Sequence, residues 1–161
     1  MADDNPSAIV VAPHPGSRHD IRDLFELAED SKSQLERYMT DGEVFIALFG
    51  EPVVGHIQLI TSDDGQSVEI KNMAVRPQQQ GRGIGRALVV AGLDRARHLG
   101  CTWGWVATAT ADVGNLRFYQ RLGFRMVCVE RDAFGSGTGY PEPVVIDGIE
   151  LRDRVWLDIR L

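Results

Sequence analysis

The stretch Asn72-Met73-Ala74-Val75-Arg76-Pro77-Gln78-Gln79-Gln80-Gly81-Arg82-Gly83-Ile84-Gly85-Arg86 constrains this chain more than any other. Its first part closes an apolar strand, 67–75, and Pro77 ends that strand because proline cannot donate to a ladder. From Gly83 a helical period begins, with Ile84, Ala87, Leu88 and Ala91 expected on one face and Gly100 at the end. The first amides of such a helix have no internal acceptor, and the helix dipole favours an anion beside them. Glycines at 81, 83 and 85 keep side chains off those amides, and Arg82 and Arg86 add positive charge. The turn reads as a phosphate cradle in preference to a bare strand-to-helix connection with exposed arginines.

Three nucleotide motifs compete for this turn. A P-loop ends in Gly-Lys-Ser/Thr, and none is present. A dinucleotide fingerprint needs glycine at its third and sixth positions; counted from Gly81 the sixth is Arg86, and counted from Gly83 it is Leu88. The pattern Gln80-x-x-Gly83-x-Gly85 matches the third.

The rest of the chain supplies the frame. Residues 9–11 read as a strand ended by Pro13 and Pro15. Ile21, Leu24, Phe25 and Ala28 mark one face of a helix, and Ser31 or Ser33 opens a second through Leu35 and Met39, ending near Gly42. The runs 44–49 and 53–60, split by Gly50-Glu51-Pro52, form a hairpin, and 67–75 follows the turn Asp63-Asp64-Gly65. After the long helix come a strand at 103–107, a helix at 115–122 with Gly123 as a left-handed cap, and strands at 124–129 and 151–159. This order predicts an α/β (α+β) fold: a mixed, mostly antiparallel sheet of about seven strands with helices on its faces.

With 161 residues the chain is expected to be one domain over 1–161, residues 1–7 being a polar, flexible tail and no signal peptide. A formal charge of -6, from 17 basic and 23 acidic residues, argues against nucleic acid or a membrane surface as partner. No apolar run has the length of a membrane span. Cys101 and Cys128 are far apart, and the four histidines have no metal-ligand spacing, so neither a disulfide framework nor a metal is expected, and a cytoplasmic setting is.

At Val68-Glu69-Ile70-Lys71-Asn72-Met73-Ala74-Val75 followed by Gln80-x-x-Gly83-x-Gly85, the chain resembles the GNAT superfamily of N-acetyltransferases. A second stretch, Asn115-Leu116-Arg117-Phe118-Tyr119-Gln120-Arg121-Leu122-Gly123-Phe124, is similar to that family's second motif, in the family's order. The resemblance implies transfer of an acetyl group from acetyl-CoA, without a metal, to a primary amine of a small molecule. A protein amine as acceptor and a CoA-binding module without catalysis are the alternatives; a homodimer is possible in such families. It implies a bulge that splays the strand before the turn from the next strand, the thioester lying in the gap. It assigns backbone groups of Met73 and Val75 to the pantetheine arm and an amide near Ala74 to the thioester oxygen. The turn formed by Gln80, Gly81, Arg82, Gly83, Ile84, Gly85 and Arg86 takes the pyrophosphate, with Asn115 and Phe118 lining the cofactor groove.

Direct transfer needs no enzyme nucleophile, so neither cysteine is given that role. It does need donors where charge builds on the carbonyl oxygen and an acid for the departing thiolate. The resemblance makes Tyr119 the candidate acid, against a tyrosine that merely packs beside Leu116 and Leu122. It makes Glu69 the candidate base, acting through water, against an exposed glutamate paired with Lys71. Strand alternation places Glu69, Lys71 and Met73 on one face. The segment 131–148, with glycines between Phe134 and Tyr140, reads as a solvated connection by default and otherwise as a lid. Glu26, Glu36, Asp132 and Glu142 are candidate attractors for a cationic acceptor, and His56 and Gln58 are weak candidates to reach the site.

Overall fold

The computed structural model describes residues 8–161, so the expected tail lies outside the described residues. The chain runs β1 (Ile9–Pro13), α1 (Arg22–Ala28), α2 (Lys32–Tyr38), β2 (Glu43–Phe49), β3 (Val53–Thr61), β4 (Ser67–Val75), α3 (Ile84–His98), β5 (Trp103–Ala109), α4 (Val113–Arg121), β6 (Arg125–Glu130), β7 (Val145–Ile146), β8 (Ile149–Glu150) and β9 (Arg154–Arg160). Seven strands form one sheet in the order β1-β2-β3-β4-β5-β9-β6, and β7 and β8 make a small separate hairpin. Only β4 and β5 pair parallel; every other neighbour in the sheet is antiparallel. The mixed sheet with helices on both faces is the architecture expected from the sequence.

Each face has its own apolar layer. On one, Leu24, Phe25, Leu35 and Met39 of the α1–α2 region close over Val44 and Ile46. On the other, Leu88, Val89, Leu93 and Ala96 of α3 pack on Ile57, Leu59, Val68, Ile70 and Leu157, joined by Tyr119 and Phe124. Burying one such leucine or isoleucine contributes about 1.5–3 kcal/mol. The buried stripe of α3 is Ile84, Leu88, Val89, Gly92, Leu93 and Ala96, so Ala87 and Ala91 flank it instead of leading it. The shift follows from Gly92, whose missing side chain lets the helix rest on Ile57 and Leu59.

Several boundaries differ by a few residues from the sequence reading, and the largest differences have a physical cause. Helix α4 starts at Val113, because Asp112 caps it: its carboxylate accepts from the Asn115 amide at 2.8 Å. Strand β9 starts at Arg154, since Leu151 turns into a small cluster with Ala109 and Tyr140. The segment before it is not a bare connection but contains a short 3-10 turn, Ser136–Thr138, and the β7–β8 hairpin. Ser31 is the cap of α2, and Gly123 takes the left-handed position after α4 at φ 98°. No helix among the described residues is long and apolar enough to cross a membrane.

Strand β4 positions the site. Against β3, Gln58 pairs with Asn72 and Leu59 with Ile70, which leaves Lys71 as the extra residue of a bulge. Against β5, pairing covers only Ser67 to Ile70, opposite Trp103 to Val106. Beyond those residues the two strands are no longer paired, and β4 runs on alone on that side toward the turn before α3.

Candidate active site

The turn between β4 and α3 exposes backbone donors in a row. Gln79 and Gln80 amides bond to the Arg76 and Pro77 carbonyls, and the next amide with an acceptor is that of Ala87, on the Gly83 carbonyl. The six amides in between, Gly81, Arg82, Gly83, Ile84, Gly85 and Arg86, have none among the described residues. Gly83 caps the helix at φ 84°, in the left-handed region, and a Cβ added there or at Gly81 meets nothing within 4 Å. Both glycines therefore serve backbone shape and open approach. Gly85 has another reason: a Cβ there would lie 3.2 Å from the Phe118 ring, so it is small to let α3 and α4 close. Arg86 is exposed, Arg82 sits 5.5 Å from the centre of the Phe49 ring, and the Gln80 side chain donates to the Val75 carbonyl at 3.2 Å.

Met73, Ala74 and Val75 occupy the part of β4 that β5 leaves unpaired. On the opposite lip, Asn115 in the first turn of α4 donates to Thr108 Oγ1 of β5 at 3.4 Å. Phe118 and Phe124 meet the Tyr119 ring edge-on at 5.0 and 5.6 Å. Tyr119 is 5% exposed, and burial pushes its pKa above the usual phenol value. Its hydroxyl has no protein partner among the described residues and is not one of the fully enclosed orphan atoms. A tyrosine so placed stays protonated and keeps a free donor.

Packing corrects the face assigned to β4. Met73 packs into the α3 layer, whereas Glu69, Lys71 and Asn72 face α1 and α2. Lys71 Nζ lies 3.4 Å from the Glu69 carboxylate and 5.1 Å from the centre of the Tyr38 ring. Asn72 is buried and donates to the Phe25 carbonyl and the Tyr38 hydroxyl. Tyr38 donates to Glu29, and so does Tyr140 from the far segment. Burial first, and the neighbouring carboxylate next, hold Tyr140 protonated well above the usual range.

The expected acceptor residues fall elsewhere. Glu26 and Glu36 are both paired with Arg22, and Asp132 with Arg152, while Glu142 is exposed. Gln58 donates to the Tyr38 and Asp41 carbonyls and so fastens the end of α2. His56 is sealed behind Asn72, bonded to it at 2.9 Å. The segment 131–148 is mostly exposed, as a solvated connection would be, but it is tied down: Gln34 donates to the Thr138 carbonyl, and Phe134 and Tyr140 stack edge-on at 5.2 Å. Cys101 is buried and Cys128 exposed, and among the described residues no group of three His, Cys, Asp or Glu is placed to hold a metal.

The sequence pattern of the acetyltransferase (GNAT) family matches residues 14–124. The chain belongs to the GNAT family. Its relatives include an uncharacterized N-acetyltransferase, YvbK, of Bacillus subtilis (strain 168), 32% identical over 142 residues, 87% of this chain and 90% of that one. Among solved structures, an IAA acetyltransferase from Bacillus cereus ATCC 14579 superimposes with TM-score 0.86 at 30% identity, over 96% of this chain and 100% of that one. A GNAT family acetyltransferase from Elizabethkingia anophelis, solved with acetyl-CoA bound, gives TM-score 0.86 at 31% identity, over 95% of this chain and 98% of that one. As a GNAT member the chain is an acyltransferase that depends on acetyl-CoA.

Sequence reasoning missed four side chains that the structure joins beside the candidate site of this GNAT member: Glu29, Tyr38, Asn72 and Tyr140. Only Asn72 left a signal, as a polar residue where the strand pattern calls for a buried one. The others are joined by contacts between segments that share no local pattern. Residues 125–161, which supply Tyr140, lie beyond the matched span 14–124.

Proposed function

We propose that this GNAT enzyme transfers the acetyl group of acetyl-CoA directly to the primary amine of a small molecule. The six consecutive free amides from Gly81 to Arg86, which follow the part of β4 that β5 leaves unpaired, carry the proposal. They present a row of donors, with the helix dipole behind them, to a diphosphate. Met73 and Val75 then hold the pantetheine arm along the free edge of β4, and an amide near Ala74 donates to the thioester oxygen as charge gathers there. Asn115 and Phe118 line the other lip.

The acceptor enters from the face that carries Glu69, Lys71 and Tyr38. An alkyl ammonium has a pKa of about 10.4 and must shed a proton before it attacks. Glu69 receives that proton through water, while Lys71 keeps its carboxylate oriented. Tyr119 donates a hydrogen bond to the departing sulfur; its raised pKa suits a donor that shares its proton more than one that releases it. The packed segment over α2 narrows the acceptor side, which supports a small amine over a protein chain.

A thiol-release assay with acetyl-CoA against tryptamine, spermidine, ethanolamine and an alanine-terminated peptide tests this. Release with a small amine is the expected result. Release with the peptide alone would move the acceptor to proteins, and calorimetric binding of CoA with no release from any amine would leave a binding module.

A further inference from the structure

The bulge of β4 and the segment 133–140 are joined by one directed chain of hydrogen bonds. The Phe25 carbonyl has no proton to give, so the Asn72 atom facing it at 3.3 Å must be the amide nitrogen. The amide oxygen then faces His56 Nε2 at 2.9 Å, and that nitrogen must carry the imidazole proton. His56 Nδ1 is left bare and enclosed without a partner. The second proton on the Asn72 nitrogen goes to the Tyr38 hydroxyl at 3.0 Å. Tyr38 has thus used its lone pair on Asn72 and gives its own proton to Glu29 Oε2 at 3.1 Å. Glu29 Oε1 takes the Ser31 amide at 3.0 Å and the Tyr140 hydroxyl at 2.5 Å. No lysine or arginine pairs with Glu29 among the described residues, so neutral donors from three places hold it.

Every proton in this chain has one direction, and reversing any bond sets two acceptors or two donors face to face. Its far end is Tyr140, which also packs against Ala109, the last residue of β5. The segment around it is seated closely: a Cβ on Gly139 would come within 2.8 Å of Ser31 Oγ. One carboxamide on the acceptor face of β4 therefore sets the place of the wall that stands opposite it.

We infer that Asn72 is a positioning residue which, through Tyr38 and Glu29, fixes the strap 133–140 as the far wall of the acceptor pocket. It touches neither substrate in this role. The kinetic part of the inference rests on the proposed amine transfer; the mechanical part does not.

The test is hydrogen exchange of the strap in Asn72→Asp, Tyr38→Phe and the double variant, with CoA affinity measured by calorimetry beside it. An aspartate at 72 has no proton for Tyr38, so the phenol turns to it and leaves Glu29. Strap exchange is expected to rise about tenfold in each single variant, the size of one lost charge-assisted bond in local opening. The double variant should rise no further, and CoA affinity should hold. With whichever amine of the panel above turns over fastest, KM for the amine should rise about tenfold while KM for acetyl-CoA stays put. Should a buried aspartate prevent folding, Tyr38→Phe alone decides, because it cuts the chain and leaves Asn72 in place. Unchanged strap exchange in the folded single variants, or additive rises in the double variant, would overturn the inference. An absence of turnover with every amine would count against the transfer reading and leave the exchange result to decide this one.

Discussion

Gly85 lies directly beneath Phe118: a Cβ built on the glycine would stand 3.2 Å from the ring. The contact joins the first turn of α3 to the middle of α4, and so sets the distance between the proposed diphosphate cradle and the proposed groove lining. Gly85→Leu should force the ring aside and cost about 1–3 kcal/mol, read as a lower urea midpoint at unchanged slope. In a double-mutant cycle, Phe118→Ala should recover part of that loss.

Gly83 answers to a different constraint. Its φ of 84° disfavours any side chain, yet a Cβ there touches nothing. Gly83→Glu should therefore fold with a penalty of about 1–2 kcal/mol. Its carboxylate would face the free amides and repel a diphosphate, so CoA binding should vanish in calorimetry. Unchanged affinity would remove the cradle from this turn.

Tyr119→Phe separates chemistry from packing. The hydroxyl has no protein partner among the described residues, so its loss should change stability by less than about 0.5 kcal/mol. Turnover should fall by more than KM for acetyl-CoA rises, because the donor acts on the leaving sulfur. Equal turnover would make Tyr119 a packing residue between Phe118 and Phe124.

His56 makes stability depend on pH in one direction. Burial lowers its pKa to about 4 from an ordinary 6.5. Above pH 6.5 the ring is neutral in both folded and unfolded chains, and the full stability is present. As pH falls from 6.5 to about 4, the unfolded chain takes up a proton that the folded one refuses, and about 3 kcal/mol is lost. Below that, both are protonated and the loss is constant. His56→Gln keeps a donor toward Asn72 without the titration, so the variant's stability should stay flatter over that window and the difference between the two chains' denaturation curves should change by about 3 kcal/mol across it.

What the sequence showed follows from how local its signals are. A proline at 77, glycines at 81 and 83 and a helical period after them fix a strand, a turn and a helix within a few residues, and the cradle was legible on those grounds. A bulge in β4 was expected from the resemblance alone; its place at Lys71 was not legible, because alternation along β4 puts Glu69 and Met73 on one face. Only pairing with β3 shows the extra residue. Asp112 was passed over as a cap because Val113 and Gly114 are poor helix formers. The bond between Glu29 and Tyr140 spans 111 positions, and nothing in either neighbourhood announces the other. Of the acidic residues singled out instead, Glu26, Glu36 and Asp132 are surface carboxylates matched to arginines, and Glu142 is simply exposed.

Strand β4 works in two compartments on either side of a single unpaired residue. Before it, Glu69 faces α1 and α2; after it, Met73 anchors in the opposite layer, where the proposed grip of the backbone on the coenzyme begins. Excising Lys71 would restore strict alternation and leave Glu69 and Met73 on opposite faces, so the extra residue offsets the ladder against β3 and does not itself assign the faces.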